Sequence, residues 1–257
     1  DPDAGERRVF GHANPHAIAR LIGYLPEERG LYPSMKAVDA IAFMGALRGI
    51  PLKQGRERGR ELLEGHGLGH AADKQIRQLS KGMAQTVQLL GTLVHEPRLV
   101  VFDEPFSGLD AINQGKLERL IRGLAEDGTT VIFSTHVIAH AERLCEGVAI
   151  IAAGKVPFAG KVDEARDRIP AQVRLETLAR EGRWLEVLPA DVRREGDYFH
   201  FSLPESGIEP LLRALIEGEA GILSLSIERA GLHDAFVHIA GEAAAREMGR
   251  DRQEDAA

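Results

Sequence analysis

The sequence predicts an α/β fold built on a parallel sheet, followed by a smaller α+β domain, and three stretches carry that reading. Leu99-Val100-Val101-Phe102 is an unbroken apolar run with β-branched members, the pattern of a strand buried on both faces, as parallel sheets require. Thr130-Val131-Ile132-Phe133 is read as a second buried strand after a helix-length stretch, so a strand–helix–strand unit is expected. Beyond about Asp163 the pattern changes. Phe199, Phe201 and Leu203 alternate with His200 and Ser202, and Leu223, Leu225 and Ile227 alternate with Ser224 and Ser226, which is the habit of half-buried strands.

The chain has 257 residues, enough for one large domain or two modest ones with a real core. Its 44% hydrophobic and 28% charged residues are ordinary for a globular protein, and a net charge of −7 argues against general nucleic-acid affinity. The single cysteine, Cys145, excludes an internal disulfide, fits a reducing cytoplasm and reads as a core residue. No run approaches the ~18 apolar residues that would span a bilayer. The acidic start, Asp1-Pro2-Asp3-Ala4-Gly5-Glu6, is no secretory signal, so any membrane role is expected to come through a partner protein.

In chain order, residues 6 to 24 read as strand, turn, short helix and strand, ending at Leu21-Ile22-Gly23-Tyr24-Leu25. Pro26 to Pro33 is a loop punctuated by Pro and Gly. Val38, Ile41, Ala42, Met44 and Leu47 recur at helical spacing, and Leu62, Leu63 and Leu68 follow a Lys/Arg-rich surface stretch, so two or three helices are expected before about Ala72. Met35, Phe43 and Met44 belong to their core or to a coupling surface. Ser80 stands where a helix should start, able to cap its free N–H groups, and Gly82 allows close backbone approach. Val87, Leu89, Leu90, Leu93 and Val94 give that helix a broad apolar face, and Pro97 ends it.

Asp103 and Glu104 then stand at the carboxyl end of a strand, where open α/β sheets place their ligands, and Pro105 stops the strand from continuing. In nucleotide hydrolases one such carboxylate holds Mg²⁺ and the next can act on the attacking water; a solvated turn is the plain alternative. Ser107-Gly108-Leu109-Asp110 is a tight turn, and Ser134-Thr135-His136 closes the second strand. The other histidines lack such context and read as surface or packing residues. Val148–Ala153 and Val156–Phe158 form a hairpin with Gly154-Lys155 in its turn. Trp184, Leu185, Val187 and Leu188 suggest a strand, Leu211, Leu212, Leu215 and Ile216 a helix face, and Leu232, Ala235, Phe236 and Ile239 a closing helix.

Together, Gln78-Leu79-Ser80-Lys81-Gly82-Met83-Ala84-Gln85, the Asp103-Glu104 strand end, Phe106 to Asp110 and Ser134-Thr135-His136 resemble, in order, the signature loop, Walker B strand, D-loop and switch histidine of an ATP-binding-cassette (ABC) ATPase. The resemblance covers roughly residues 1 to 165. It implies a RecA-like P-loop NTPase core with a helical subdomain at about 34–80, and ATP and Mg²⁺ as cofactors. By resemblance Asp103 holds the metal with help from Glu27, Glu104 polarises the hydrolytic water, and a neutral His136 donates to the γ-phosphate. Ser80, Lys81, Gly82, Asp110 and Glu27 would contact nucleotide. Most members carry Leu-Ser-Gly-Gly-Gln where Lys81 and Met83 depart from it, and glutamine where Glu27 stands. Pro26-Glu27-Glu28-Arg29-Gly30-Leu31-Tyr32 resembles the Nat-type (sodium-extrusion-like) exporter branch, as does Ser226 to Phe236 in a carboxyl-terminal extension assigned to dimerisation or regulation.

No G-x-x-x-x-G-K-[ST] phosphate loop occurs in the sequence. The chain is therefore expected to start just past that loop and its helix, with an incomplete core, and not to bind ATP well by itself. The expected domains are an ATPase domain at 1–165, a small α+β domain at 166–241 and a charged tail at 242–257. The expected function is the ATP-hydrolysing subunit of an exporter, acting with a transmembrane permease and a second ATPase subunit, cytoplasmic and peripheral on the inner face of the membrane. The alternative is a non-hydrolysing interaction module that naturally lacks the phosphate loop. A soluble ABC ATPase of translation or DNA repair would show two cassettes or a long coiled-coil insertion, and neither occurs here.

Overall fold

The computed structural model describes residues 3–28 and 30–242; Asp1, Pro2 and Arg29 of the segments above, and all of the charged tail beyond Glu242, lie outside the described residues. The chain divides into two compact units, 1–136 and 137–257.

The first unit begins with a Val9–His12 bridge rather than a strand; its backbone turns through Phe10 and Gly11, both at positive φ. A 3-10 turn, Pro15–Leu21, is capped by the Asn14 side chain, which accepts from the His16 N–H at 2.9 Å. It leads into β1 (Ile22–Leu25). Helices α1 (Ala37–Ala46) and α2 (Leu52–Gly65) follow, then α3 (Lys81–Leu93). Val38, Ile41, Leu63, Val87, Leu90 and Val94 join the three in one buried cluster. This cluster runs past the expected 34–80 bounds into α3. Gly55 and Gly59 let α2 lie directly on Ala42 and Ile41 of α1; a Cβ on Gly55 would sit 3.0 Å from the Ala42 backbone.

Strands β2 (Leu99–Phe102) and β3 (Thr130–Phe133) complete a parallel sheet of order β1-β2-β3, with α4 (Ala111–Glu126) between them in sequence. Their register is level: Leu25 pairs with Phe102, and Phe102 with Phe133. The residues following each strand therefore emerge side by side. Val100 and Phe102 are fully buried, as the apolar run of β2 implies. The reading of β3 as a buried strand needs correction: Ile132 is 53% exposed. Ile132 shares a sheet face with Tyr24, 47% exposed, and the partly buried Val101, so among the described residues that face is incompletely covered.

In the second unit, α5 (Ile138–Leu144) precedes the hairpin of β4 (Gly147–Ala152) and β5 (Lys155–Lys161), which turns through Ala153 and Gly154, both at positive φ. Helix α6 (Val162–Arg166) follows. Ile150 and Phe158 of the hairpin pack with Leu232, Ala235 and Ile239 of the closing helical segment 232–242. That packing puts the compact-unit boundary at His136/Val137, whereas composition changes near 165. Cys145 lies partly buried against the same cluster, and burial pushes its thiol pKa up.

The remaining strands, β6 (Gln172–Thr177), β7 (Arg193–Glu195), β8 (Tyr198–Ser202) and β9 (Ile222–Glu228), form an antiparallel sheet of order β7-β8-β6-β9. Helix α7 (Glu209–Glu217) buries Leu211 and Leu215 in the sheet's core. Two expectations change here. Residues Arg183–Val187 form a 3-10 turn, not a strand, because Trp184 serves as a core plug, edge-on to Phe199 at 5.4 Å. The strand alternation in β9 is broken: Thr177 pairs with Ile222 but Glu176 with Ser224, leaving Leu223 as an extra residue and 59% exposed.

Candidate functional site

The level carboxyl ends of β1, β2 and β3 deliver three short segments to one place. Asp103 N–H donates to the Leu25 carbonyl at 2.8 Å, and Ser134 N–H to the Phe102 carbonyl at 2.9 Å, so the register extends past the strands themselves. From there the Ser134 hydroxyl donates to Asp103 Oδ1 at 2.6 Å and accepts the Glu104 N–H at 2.9 Å. His136 Nδ1 lies 2.9 Å from Glu104 Oε2. Glu104 itself has φ +43, the left-handed region that non-glycine residues enter at a cost of about 1–3 kcal/mol. Such strain gathers at functional sites, and here it turns the Glu104 carboxylate toward His136.

Geometry refines one expectation. A carboxylate only accepts, so the proton in the 2.9 Å contact belongs to His136 Nδ1. A neutral His136 in this tautomer then offers Nε2 as an acceptor, and donating from Nε2 as well requires the imidazolium. The imidazole is 74% exposed, so that second nitrogen is open to a ligand.

Asp103 and Glu104 line a cavity of about 430 Å³ together with Glu27, Glu28, Lys81, Gln85 and Gln88. Four carboxylates face one lysine there, a field that repels bare phosphate and welcomes a cation. Among the described residues no three His, Cys, Asp or Glu side chains come together as a ready-made metal site. Mg²⁺ keeps several waters and is held by one or two carboxylates plus substrate phosphates, so the observation that bears on it is the carboxylate-rich lining of this cavity. Asp103, with one oxygen taken by Ser134, and Glu27 beside the same cavity fit that role.

The other expected residues sit as follows. Ser80 is exposed and caps α3, its hydroxyl accepting the Met83 N–H at 3.2 Å, with Lys81 and Gly82 opening the helix. Asp110 caps α4; its two oxygens accept from the Asn113 backbone and side-chain amides, each at 2.9 Å. Neither Ser80, Gly82 nor Asp110 lines the carboxylate cavity. The two helix starts do meet each other, since a Cβ on Gly82 would lie 3.3 Å from Asn113 Nδ2.

Three residues make contacts at the site that the sequence does not assign to them. Ser134 was legible only as part of a motif. Gln85 donates to the Pro105 carbonyl at 2.9 Å and Gln88, 4% exposed, to the Glu28 carbonyl at 3.3 Å. They tie the loops after β2 and β1 to α3. The available signal was their i, i+3 placement, continued by Thr92 at i+7, on an otherwise apolar helix face. His95, expected to pack, shares Nε2 with the Ile22 carbonyl at 3.1 Å, and burial lowers its pKa.

Comparison with known proteins gives a consistent set of likenesses. The family model described as "ABC transporter" matches residues 2–107. The ABC transporter ATP-binding protein YhaQ of Bacillus subtilis is 30% identical over 226 residues, covering 87% of this chain and 76% of YhaQ. The daunorubicin/doxorubicin resistance ATP-binding protein DrrA of Streptomyces peucetius is 28% identical over 256 residues, covering 95% of this chain and 78% of DrrA. A solved structure of an ATP-binding subunit of an ABC transporter superposes with a TM-score of 0.59 at 27% identity, covering 65% of this chain and 71% of that one.

Proposed function

This chain belongs to the ABC transporter ATP-binding protein family, and from that premise we propose that it hydrolyses ATP to drive export through a separate membrane permease. The observation that carries the reading is the gathering of Asp103, Glu104, Ser134 and His136 at level strand ends, with Glu104 bent into a left-handed turn. Members of this family act with transmembrane permeases and dimerise, and no helix among the described residues is long and apolar enough to cross a membrane. A place on the cytoplasmic face of the membrane follows from that partnership. Export is supported by the resistance function named for DrrA, and the Nat-type branch by the Pro26–Tyr32 run around Glu27.

The chain's residues divide the chemistry. Asp103, held by Ser134, and Glu27 would hold Mg²⁺ beside the cavity, and when bound the ion neutralises phosphate charge. Glu104 orients and polarises the attacking water, and its contact with His136 keeps the carboxylate in place. His136 would reach the γ-phosphate as a donor from Nε2 only with both ring nitrogens protonated, since Nδ1 already donates to Glu104. Ser80, Lys81 and Gly82 at the α3 start offer backbone donors and a cation, which in a paired arrangement serve the nucleotide of a second subunit. Residues 1–257 contain no G-x-x-x-x-G-K-[ST], so on their own they are expected to bind ATP weakly.

The test is ATP turnover by the protein reconstituted with its permease in vesicles. Hydrolysis that stops on Mg²⁺ chelation and accompanies substrate movement out of the ATP-containing compartment is expected. No turnover under those conditions would favour the alternative, a non-hydrolysing interaction module.

A further inference from the structure

The Ser134 hydroxyl touches both site carboxylate residues at once, and no side chain of β2 does the same. A serine hydroxyl has one proton and two acceptor positions. Its proton goes to Asp103 Oδ1 at 2.6 Å, a short charge-assisted bond, and one acceptor position takes the Glu104 N–H at 2.9 Å. Its own backbone is pinned by the 2.9 Å bond from its N–H to the Phe102 carbonyl, so the hydroxyl is placed by the register of β3 on β2. Glu104, at φ +43, is held in an unfavourable backbone state by this bond to its amide.

Resting on the ATPase reading above, we propose that Ser134 is a positioning residue for hydrolysis, a bridge that orients the Asp103 carboxylate and clamps the Glu104 turn. By fixing Oδ1 of Asp103 it presents the other oxygen to the cavity. By accepting the Glu104 N–H it keeps the Glu104 side chain aimed at His136 Nδ1, 2.9 Å away. Ser134 acts through these two residues. It also links the strand bearing the carboxylates to the strand bearing the histidine.

The test compares wild type, Ser134→Ala and Ser134→Thr in the whole protein with its permease. The first readout is hydrogen exchange at the Glu104 amide, which needs no nucleotide; in Ser134→Ala it should accelerate at least about tenfold. The second is kinetic: kcat should fall about tenfold with KM for ATP changed by less than about threefold, and the Mg²⁺ concentration for half-maximal rate should rise. Ser134→Thr keeps the hydroxyl and should restore kcat to within about threefold of wild type. Unchanged exchange in Ser134→Ala would overturn the bridge. Unchanged kcat, or a threonine variant as slow as the alanine one, would overturn the positioning role. A wild-type protein that hydrolyses no ATP would sink the ATPase reading and the positioning role with it, while exchange would still decide whether the bridge exists.

Discussion

The parallel sheet of the first unit and the antiparallel sheet of the second handle their polar side chains in opposite ways. In the first, β1, β2 and β3 run the same direction in level register, so every strand empties its polar successors at one edge. Asp103, Glu104, Ser134 and His136 meet there within hydrogen-bonding reach. In the second, alternate residues point to opposite faces, and the polar ones spread over the outer face in separate local pairs. Arg174 lies over the Tyr198 ring at 3.7 Å, and His200 stands 3.9 Å from Glu195. The inner face is a closed core around Trp184, Phe199 and Phe201. Chain direction therefore decides which unit collects a site and which one is organised around its core.

That contrast can be broken by mutation. The largest stability effect belongs to the second unit: Trp184→Ala, at a residue 1% exposed, should cost about 3–5 kcal/mol in a denaturant melt. ATP turnover measured where both units stay folded should change by less than about twofold. A parallel loss of turnover would blur the division of labour. A smaller effect tests the polar bonds of the second unit. Glu142 Oε1 accepts the Leu232 N–H at 3.0 Å and pairs with Arg166 at 2.6 Å, and these hold its carboxyl below the usual carboxylate range. A depressed folded pKa means the stabilisation is complete above the unfolded value of about 4.3 and is lost as pH falls through the folded one. Glu142→Gln should cost about 1.5 kcal/mol at neutral pH and make the acid limb of the stability–pH curve shallower. An unaltered acid limb would show that this bond does not couple to protonation.

Legibility in the sequence followed the same line between local and paired. The β2 strand, the Ser80 cap and a hairpin turn at Gly154 are written in consecutive residues, though the turn falls at Ala153-Gly154 and not at the expected Gly154-Lys155. Asp103, Glu104 and His136 stand out in the sequence because each follows a recognisable strand, and the structure brings them close together. Ser134 needed the register of β3 on β2, which no local pattern records. The exposure of Ile132 depends on what covers the sheet face it shares with Tyr24 and Val101, and the exposure of Leu223 on a bulge opposite Glu176 and Thr177. Trp184 misled because a run of large apolar residues looks like a strand whether it extends along a sheet or plugs one end of it.

The gathering of these groups at level strand ends makes one direct claim, that Glu104 works on the water which attacks ATP. Glu104→Gln keeps the size and the backbone contact to Ser134 while removing the charge that faces His136. Measured beside wild type in the full-length, permease-bound protein, this variant should still bind ATP yet turn it over at least about a hundredfold more slowly. Turnover at the wild-type rate would contradict the account.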